Sequence, residues 1–414
     1  MRNRISPVTF TTQGALRKSA LRQANDRLVL NVIRQNPTLS RVDIARFTGL
    51  SPSSITFIVK RLAKEKLIRE ERVETAPQSG RPPMILRLTP TARYVIGIEI
   101  SPTGSRLAIA DWTGAGTEVR TLADHRNPDL FLPLLEQQLI QAAAAKGNGR
   151  ILGVGVSVSG TWDTRTSTIA NAPNLGWRDV SLARLLNCCP GTPIHIDNNA
   201  NLSALGERWF RPPESRPLDN FVFVTLGGGI GTGIIIGGQV LHGAHGRAGE
   251  FGHMTIQPDG RQCLCGNLGC WEEYASDRAL VRLYQHNSGR REPLSAFEVV
   301  ERGRAGEIAA IEALAEVGHY LGLGFANLIM GLNPQAVVID NWGALGWDLI
   351  KGPIRRVLRE RLPASWLDGV RIMASTRPLD AALHGAVALA LSQYFLSFEH
   401  HAPDEAPNEV LMQS

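Results

Sequence analysis

The segment that decides the fold runs from Glu250 to Glu272 and reads EFGHMTIQPDGRQCLCGNLGCWE. One imidazole and three thiolates, as this segment offers, complete the tetrahedral set that zinc takes in structural sites, with no position left for a reacting water. The alternative is an unrelated histidine beside buried free thiols, although a glycine-rich loop is poor sequence for a core. We therefore predict a structural Zn²⁺ with the ligands His253, Cys263, Cys265 and Cys270.

Length and composition indicate an ordinary globular protein. The chain has 414 residues, 43% hydrophobic and 20% charged, which is enough for two or three domains. No apolar run reaches the length of a membrane span, and the N-terminus has no signal-peptide core. An odd number of cysteines suits a reducing compartment, and the adjacent Cys188 and Cys189 are expected to be buried. We expect a cytoplasmic protein without membrane insertion.

The positive charge is concentrated at one end of the chain. The net charge is +6, but residues 1–90 carry +11 and the remainder carries −5. Such a division predicts a nucleic-acid-binding head on a neutral to acidic body.

Residues 21–64 have the pattern of a helix-turn-helix. Apolar residues recur at helical spacing over 21–34, and Ser40 with Asp43 has the spacing of a capping box for a second helix. After a turn at Gly49, Ser51-Pro52 provides the start of a third helix over 52–64. A plain helical hairpin is the alternative, and the local positive charge favours a DNA-binding function.

The outward face of the third helix carries hydroxyls near its start and basic residues further on. Short hydroxyls near the N-terminus of a recognition helix can reach base edges, and basic residues suit phosphates. Two β-like runs, 68–73 and 84–88, predict a wing whose tip offers an arginine to the minor groove. The predicted DNA contacts are Ser51, Ser53, Ser54, Thr56, Phe57, Lys60, Arg61 and Arg81.

The body after residue 90 begins with a β-hairpin and continues with alternating helices and strands in two successive halves. This order predicts an α/β body of two lobes with a cleft between them. The glycine run 227–233 allows two interpretations, a backbone cradle for phosphate or close packing of strands.

The motifs of the body resemble the ROK family, which includes bacterial sugar kinases and sugar-responsive repressors. The winged helix resembles the repressor branch, such as the N-acetylglucosamine, Mlc and xylose repressors. The resemblance implies an α/β fold with an N-terminal winged helix-turn-helix and a two-lobed actin-like ATPase (ribonuclease H-like) sugar-binding body. The matching motifs are Gly155–Gly160, Asn171–Trp177, Asn198–Asn201 with Gly206-Glu207, Gly227–Gly233, Gly243–His253 and Cys263–Glu272.

The resemblance also implies a role for individual residues. In this family the histidine and three cysteines bind zinc, and polar residues of the same motifs hold sugar hydroxyls. Because one nitrogen cannot serve twice, we expect His253 to use one ring nitrogen for zinc and the other for the sugar. The implied sugar-binding residues are Asn174, Asn198, Asn199, Glu250, His253 and Glu272.

Three departures from the kinase pattern argue against phosphotransfer. Asn199 stands where the family has its catalytic Asp, and an amide cannot act as that general base. Pro102 stands in the phosphate loop and lacks the N–H that a phosphate cradle needs. Trp342 replaces a glycine that admits adenosine and is expected to obstruct it.

We therefore expect a regulator and no enzyme: a homodimeric or homotetrameric repressor that binds an operator in double-stranded DNA and responds to a small sugar. The alternatives are an ATP-dependent sugar kinase with a DNA-binding head and a module controlled by a protein partner. The expected division is a flexible arm (1–18), a DNA-binding domain (19–90), a ligand domain (91–400) with the zinc loop (250–272), and a disordered tail (401–414).

Overall fold

A computed structural model describes residues 18–72, 84–122, 126–147, 150–163, 166–212, 215 and 217–396. Arg81, the predicted tail and all but the last residue of the predicted arm lie outside them. The chain divides into two compact units, one of residues 1–89 and 392–414 and the other of residues 90–391.

The described elements follow one another in mixed α/β order. The helices are α1 (Lys18–Gln35), α2 (Arg41–Thr48), α3 (Pro52–Lys64), α4 (Pro128–Lys146), α5 (Ala183–Asn187), α6 (Asn199–Trp209), α7 (Glu272–Ala275), α8 (Asp277–Ser288), α9 (Ala296–Arg304), α10 (Ile308–Leu332), α11 (Asn341–Leu345), α12 (Trp347–Arg361), α13 (Ala364–Leu367) and α14 (Ala381–Leu396). The strands are β1 (Ile68–Arg72), β2 (Met84–Leu88), β3 (Tyr94–Ile100), β4 (Arg106–Asp111), β5 (Glu118–Thr121), β6 (Ile151–Val158), β7 (Thr161–Asp163), β8 (Thr168–Ala172), β9 (Trp177–Ser181), β10 (Ile194–Asn198), β11 (Phe221–Leu226), β12 (Ile230–Ile236), β13 (Gln239–Val240), β14 (Ala336–Ile339) and β15 (Arg371–Ala374).

The first unit is a winged helix-turn-helix, as predicted. The capping box at α2 is present: the Asp43 amide donates to Ser40 Oγ at 3.3 Å, and the Ser40 amide donates to Asp43 Oδ2 at 3.1 Å. Gly49, with φ of 71°, ends α2 in the left-handed conformation that makes the turn tight. Antiparallel β1 and β2 form the wing, and α3 buries Ile55, Ile58, Val59 and Leu62.

The second unit contains two five-stranded sheets built on one plan. The first has the order β10-β6-β3-β4-β5 and the second the order β13-β12-β11-β14-β15. In each sheet, the first three strands along the chain form an antiparallel meander. The fourth strand then pairs in parallel with the first, and the fifth pairs in parallel with the fourth. The repeated topology confirms the two-lobed actin-like body. A small third sheet, β7-β8-β9, comes between β6 and β10 of the first sheet along the chain.

Helix α6 packs closely against elements of both lobes. A Cβ added at Gly233 of β12 would lie 2.1 Å from the Ala200 carbonyl oxygen, and one at Gly206 would lie 2.8 Å from the Gly385 amide of α14. The backbones therefore touch where side chains would otherwise separate them. The glycine run 227–233 is thus only partly a loop, since Gly231 and Gly233 belong to strand β12 and serve packing.

Cys188 and Cys189 are less buried than predicted. Both are half-buried at the end of α5, since they sit in an irregular segment at the edge of the first core.

Helix α10 is the one described helix long and apolar enough to cross a bilayer, but half of its apolar window is buried inside the protein. It packs against α8, α9 and α12, and the core helix of a domain produces the same signal.

We predict that Gly233→Ala destabilises the protein by about 1–3 kcal/mol or more, because the new methyl group would meet the Ala200 carbonyl. The melting temperature of the purified chain measures this. Gly352→Ala is the matched control, since a Cβ there meets nothing within 4 Å and alanine favours the helix. Equal melting temperatures for the two variants would contradict the packing role.

Candidate functional site

Four potential metal ligands converge on one point in the second lobe. The ligand atoms of His253, Cys263, Cys265 and Cys270 all lie within 4.8 Å of one another. His253 Nδ1 is 3.7 Å from Cys263 Sγ, and the sulfurs of Cys265 and Cys270 are 3.6 Å apart. A tetrahedral ion with bonds of about 2.3 Å to sulfur separates its ligands by about 3.8 Å, so these spacings fit a metal.

The backbone of the loop explains why these residues meet. An antiparallel bridge pairs Thr255 with Cys270, and the Trp271 amide donates to the Met254 carbonyl at 2.9 Å. These bonds place the His253 turn beside the last cysteine, whose thiol donates to the His253 carbonyl at 3.3 Å. Trp271 is fully buried and fixes this end of the loop in the core.

Gly252 lets the histidine turn lie directly on strand β12. A Cβ at this position would be 2.1 Å from the Ile230 carbonyl oxygen, so only glycine fits without a shift of the backbone. The short 3-10 turn Phe251–His253 is therefore pressed against the sheet, and Glu250 precedes it in an exposed position.

Glu272 connects the metal ligands with the glycine turn between β11 and β12. It is 7% exposed, and its Oε1 lies 3.0 Å from Cys263 Sγ and 3.5 Å from His253 Nδ1. A Cβ added at Gly229 would be 2.4 Å from Glu272 Oε2. On the other side of this turn, a Cβ at Gly228 would be 3.8 Å from Asn174 Oδ1. Asn174, the turn, Glu272 and His253 thus form one continuous polar wall.

The other sugar-binding candidates are placed less directly. The Asn198 side chain caps α6, accepting from the Ala200 amide at 2.8 Å and donating to the Gly160 carbonyl at 3.0 Å. Asn198 therefore holds the start of the helix and retains one amide hydrogen for a ligand. Asn199 begins α6 and is half-buried. For Glu250, the described hydrogen bond is that of its carbonyl with the His253 amide at 3.1 Å.

An ion pair that sequence reasoning missed joins the two lobes. Asp197 lies near the end of β10 in the first sheet, His242 follows the second sheet, and His242 Nε2 lies 2.7 Å from Asp197 Oδ2. The hydrogen bond to Asp197 raises the pKa of His242. His242 is exposed in a loop, and its partner lies 45 positions away, so no local pattern indicates the pair.

A second missed contact occupies the end of β3 next to the loop with Pro102. The Arg106 guanidinium donates to Glu99 Oε2 at 2.6 and 2.9 Å, to Asp380 Oδ1 at 2.6 Å and to the Leu379 carbonyl at 2.9 Å. Glu99 is buried, and burial raises its pKa against the opposing effect of Arg106. The guanidinium thus neutralises the Glu99 carboxylate beside the loop that contains Pro102.

Buried acids surround this ion pair. Asp340 follows strand β14 at 6% exposure, and its Oδ1 has no hydrogen-bond partner among the described residues. Burial, with the charges of Glu207 and Glu99, raises the Asp340 pKa to about 7. Glu207 pairs with Arg211 at 2.9 Å. We call Glu99, Glu207, Asp340 and Asp380 the acidic edge.

Trp342, the third departure from the kinase pattern, lies in the interior of the second lobe. Its side chain is completely buried and belongs to the apolar core of the second lobe. The bulk that replaces a family glycine is therefore absorbed by the core, and its position gives the predicted obstruction of adenosine no support.

The third helix of the first unit presents the predicted DNA-binding residues unevenly. Ser51, Ser53, Ser54, Phe57 and Lys60 are exposed, and Thr56 is half-buried. The side chain of Arg61 is 13% exposed and forms an ion pair with Asp26 of α1, and its contact with DNA stays a prediction.

Two further arginines of the basic head pack on aromatic rings. Arg27 lies 5.0 Å from the centroid of the Tyr394 ring, and Arg34 lies 5.5 Å from that of Phe395. Cation–π contacts of this kind stabilise the unit. Part of the concentrated positive charge is therefore used inside the first unit.

Comparison with known proteins matches both units. Residues 95–393 match the model of the ROK family, and residues 22–69 match a winged helix-turn-helix DNA-binding model. The chain is similar to the xylose repressor of Caldicellulosiruptor bescii, at 29% identity over 92% of this chain and 98% of that protein. It is also 31% identical to the glucokinase of Streptomyces coelicolor over 71% of this chain and 96% of the enzyme.

A solved structure has the same fold. It is a ROK family transcriptional regulator described as a homologue of the Escherichia coli Mlc protein, with a TM-score of 0.76 and 24% identity. The match covers 91% of this chain and 97% of that chain.

We predict that the Asp197–His242 pair stabilises the body in a pH-dependent manner. Because the His242 pKa is raised in the folded state, the contribution is complete below the ordinary histidine value of about 6.5 and is lost as pH rises through the raised value. The melting temperature of His242→Gln should fall below that of the native chain at pH 6 and approach it at pH 9. His245→Gln, another exposed histidine, is the control. A deficit that grows with pH would contradict the pair.

Proposed function

This chain belongs to the ROK family and carries a winged helix-turn-helix DNA-binding domain, and we propose that it is a sugar-responsive transcriptional repressor without kinase activity. One observation carries the proposal. A single chain joins an exposed recognition helix to a sugar-kinase-like body in which Arg106, Glu99 and Asp380 form an internal ion-pair network beside the altered phosphate loop.

The ligand of the body is a small sugar held by the polar wall. Carboxylates and amides form orientation-dependent hydrogen bonds with neighbouring hydroxyls, and Glu272 and Asn174 provide both types of group. His253 supports the same role, since its Nδ1 faces the thiols and leaves Nε2 to donate to a hydroxyl. Asn198, Asn199 and Glu250 complete the proposed site. A relative named as a xylose repressor favours an aldopentose among the candidate sugars.

The charges of the acidic edge oppose the binding of a nucleotide. Phosphotransfer needs groups that stabilise the negative charge of a triphosphate. Here burial, with a smaller effect from the charges of Glu207 and Glu99, raises the Asp340 pKa to about 7, and Arg106 is already engaged by two carboxylates. With Asn199 in place of a general base, the body can bind a sugar hydroxyl but has no group at this position to take its proton.

The first unit is proposed to bind an operator in double-stranded DNA, in the cytoplasm. Paired heads in a homodimer or homotetramer would match the two halves of a palindromic site. For a sugar to cause release of the DNA, it must bind the DNA-incompetent state more tightly than the DNA-bound state.

We predict that the chain binds duplex DNA from its own upstream region and that one class of sugar releases it. A fluorescence anisotropy titration with aldopentoses, aldohexoses and N-acetylated amino sugars measures both. Asn174→Ala should raise the sugar concentration needed for release about tenfold, the cost of one lost hydrogen bond to a buried partner, without changing the sugar-free DNA affinity.

Asn187→Ala, an exposed asparagine on α5, is the matched control. Absence of specific DNA binding at every sugar concentration would refute the repressor proposal. Each sugar that releases DNA is also tested with ATP for ADP formation. We expect none, and sustained turnover would favour the alternative of a kinase with a DNA-binding head.

We further propose that the metal is zinc with a structural role. The four donors leave no open position, and Glu272 lies against this cluster, so a bound ion would fix one side of the sugar site. Burial raises the pKa of the Cys263 thiol in the metal-free protein, and zinc would have to displace this proton.

We predict about one zinc per purified chain by mass spectrometry, with loss of the metal in Cys265→Ser and at low pH, where protons compete for the thiolates. Metal loss should lower the melting temperature and weaken the response to sugar. Cys189→Ser should retain full metal content, because its sulfur lies beside Cys188 and outside the cluster. A metal-free chain with a normal sugar response would refute the structural role.

A further inference from the structure

Phe57 is the most exposed large apolar side chain of the recognition helix. Its exposure is 68%, and it stands on the face opposite the buried Ile55, Ile58, Val59 and Leu62. Open hollows of about 530 and 390 Å³ lie on its two sides, and the ring lines both. An exposed phenylalanine on a recognition helix contributes nothing to the core and is available to contact DNA.

The hydroxyls around this ring are already bonded within the helix. Ser51 Oγ lies 2.9 Å from Ser53 Oγ and 2.8 Å from Ser54 Oγ, and it also accepts from the Ser54 amide at 3.1 Å. Thr56 Oγ1 donates to the Pro52 carbonyl at 2.9 Å. The outward face of α3, which the sequence predicts to be rich in hydrogen-bond donors, is therefore more apolar in the structure, because its hydroxyls are bonded to one another and to the backbone.

The Arg61 side chain packs against the Phe57 ring. Its guanidinium carbon is 5.7 Å from the centroid of Phe57, and the same group is paired with Asp26 of α1. The ion pair fixes the arginine, and the arginine limits the positions that the ring can take. Arg61 thus acts on DNA recognition through Phe57 and is a positioning residue.

We infer that Phe57 reads thymine, with its ring against the 5-methyl group in the major groove. This inference rests on the proposed DNA-binding function. Among the groups that base pairs present in the major groove, the thymine methyl is the apolar one, and phenylalanine is a side chain that contacts it. The location near the start of the second helix of a helix-turn-helix is where base contacts occur. The net charge of +11 over residues 1–90 favours DNA over an apolar protein partner.

The experiment first selects duplexes from a randomised library with the full-length native chain. Each thymine of the enriched duplex is then replaced by deoxyuridine, which removes only the methyl group. At one or two positions the native affinity should fall about fourfold, the effect of one buried methyl group. Phe57→Ala should bind the thymine duplex more weakly and show no difference between thymine and deoxyuridine at those positions.

Two variants serve as controls. Phe57→Leu keeps an apolar side chain and should retain part of the methyl preference, which separates recognition from misfolding. Lys60→Gln removes an exposed charge of the same helix and should weaken binding to all duplexes alike while preserving the methyl preference.

The outcomes distinguish the two levels of the proposal. If no duplex is enriched above non-specific binding, the DNA-binding function itself fails. If a duplex is enriched but deoxyuridine has no effect at any position, or the same effect in Phe57→Ala, thymine recognition by Phe57 is refuted.

Discussion

The close packing of helix α6 is the constraint on which the body depends. Its first residues follow the C-terminal end of β10, its side faces Gly233 of the second sheet, and Gly206 meets α14. Interiors are packed too densely for such contacts to shift without cost. Because α6 begins at Asn199 and is capped by Asn198, the same contacts that hold the lobes also fix two residues of the proposed ligand site.

Features set by short stretches of sequence could be predicted. The capping box, the glycine turn and the metal-ligand cluster each depend on residues close along the chain, and the structure has all three. The predicted first and third helices and the two wing strands also lie within a few residues of their observed bounds. The repeated sheet topology followed from the family resemblance, since the order of helices and strands indicated only two lobes.

Features that depend on distant residues could not be predicted. The Asp197–His242 pair and the Arg106–Asp380 pair join residues that are 45 and 274 positions apart. The glycine run was ambiguous because Gly233 is explained by a helix that no local pattern places beside it. The ion pair of Arg61 could not be predicted for the same reason, since its partner Asp26 lies on another helix.

The charges of the body favour the proposed binding of a neutral sugar over the binding of a phosphate. The polar wall presents Asn174, Glu272 and His253 next to a cluster suited to a cation, whereas the acidic edge presents carboxylates that already engage two arginines. A triphosphate would have to compete with Glu99 and Asp380 for Arg106, near the buried Asp340, whose pKa is raised mainly by its burial. A neutral sugar meets neither obstacle.

A sensor needs a difference in affinity between two states, not tight binding as such. Moving a population from 1:99 to 99:1 requires about 5.5 kcal/mol of differential binding. Two or three hydrogen bonds to charged groups, at about 1.5–3 kcal/mol each, supply that amount if they form in only one state. Asn174 and Glu272 approach the same glycine turn from separate segments, one an exposed turn and the other a buried residue beside the metal ligands. The proposed sugar ligand would bridge these segments and would form its complete set of bonds only in the arrangement that brings them together, a selectivity that requires no phosphotransfer.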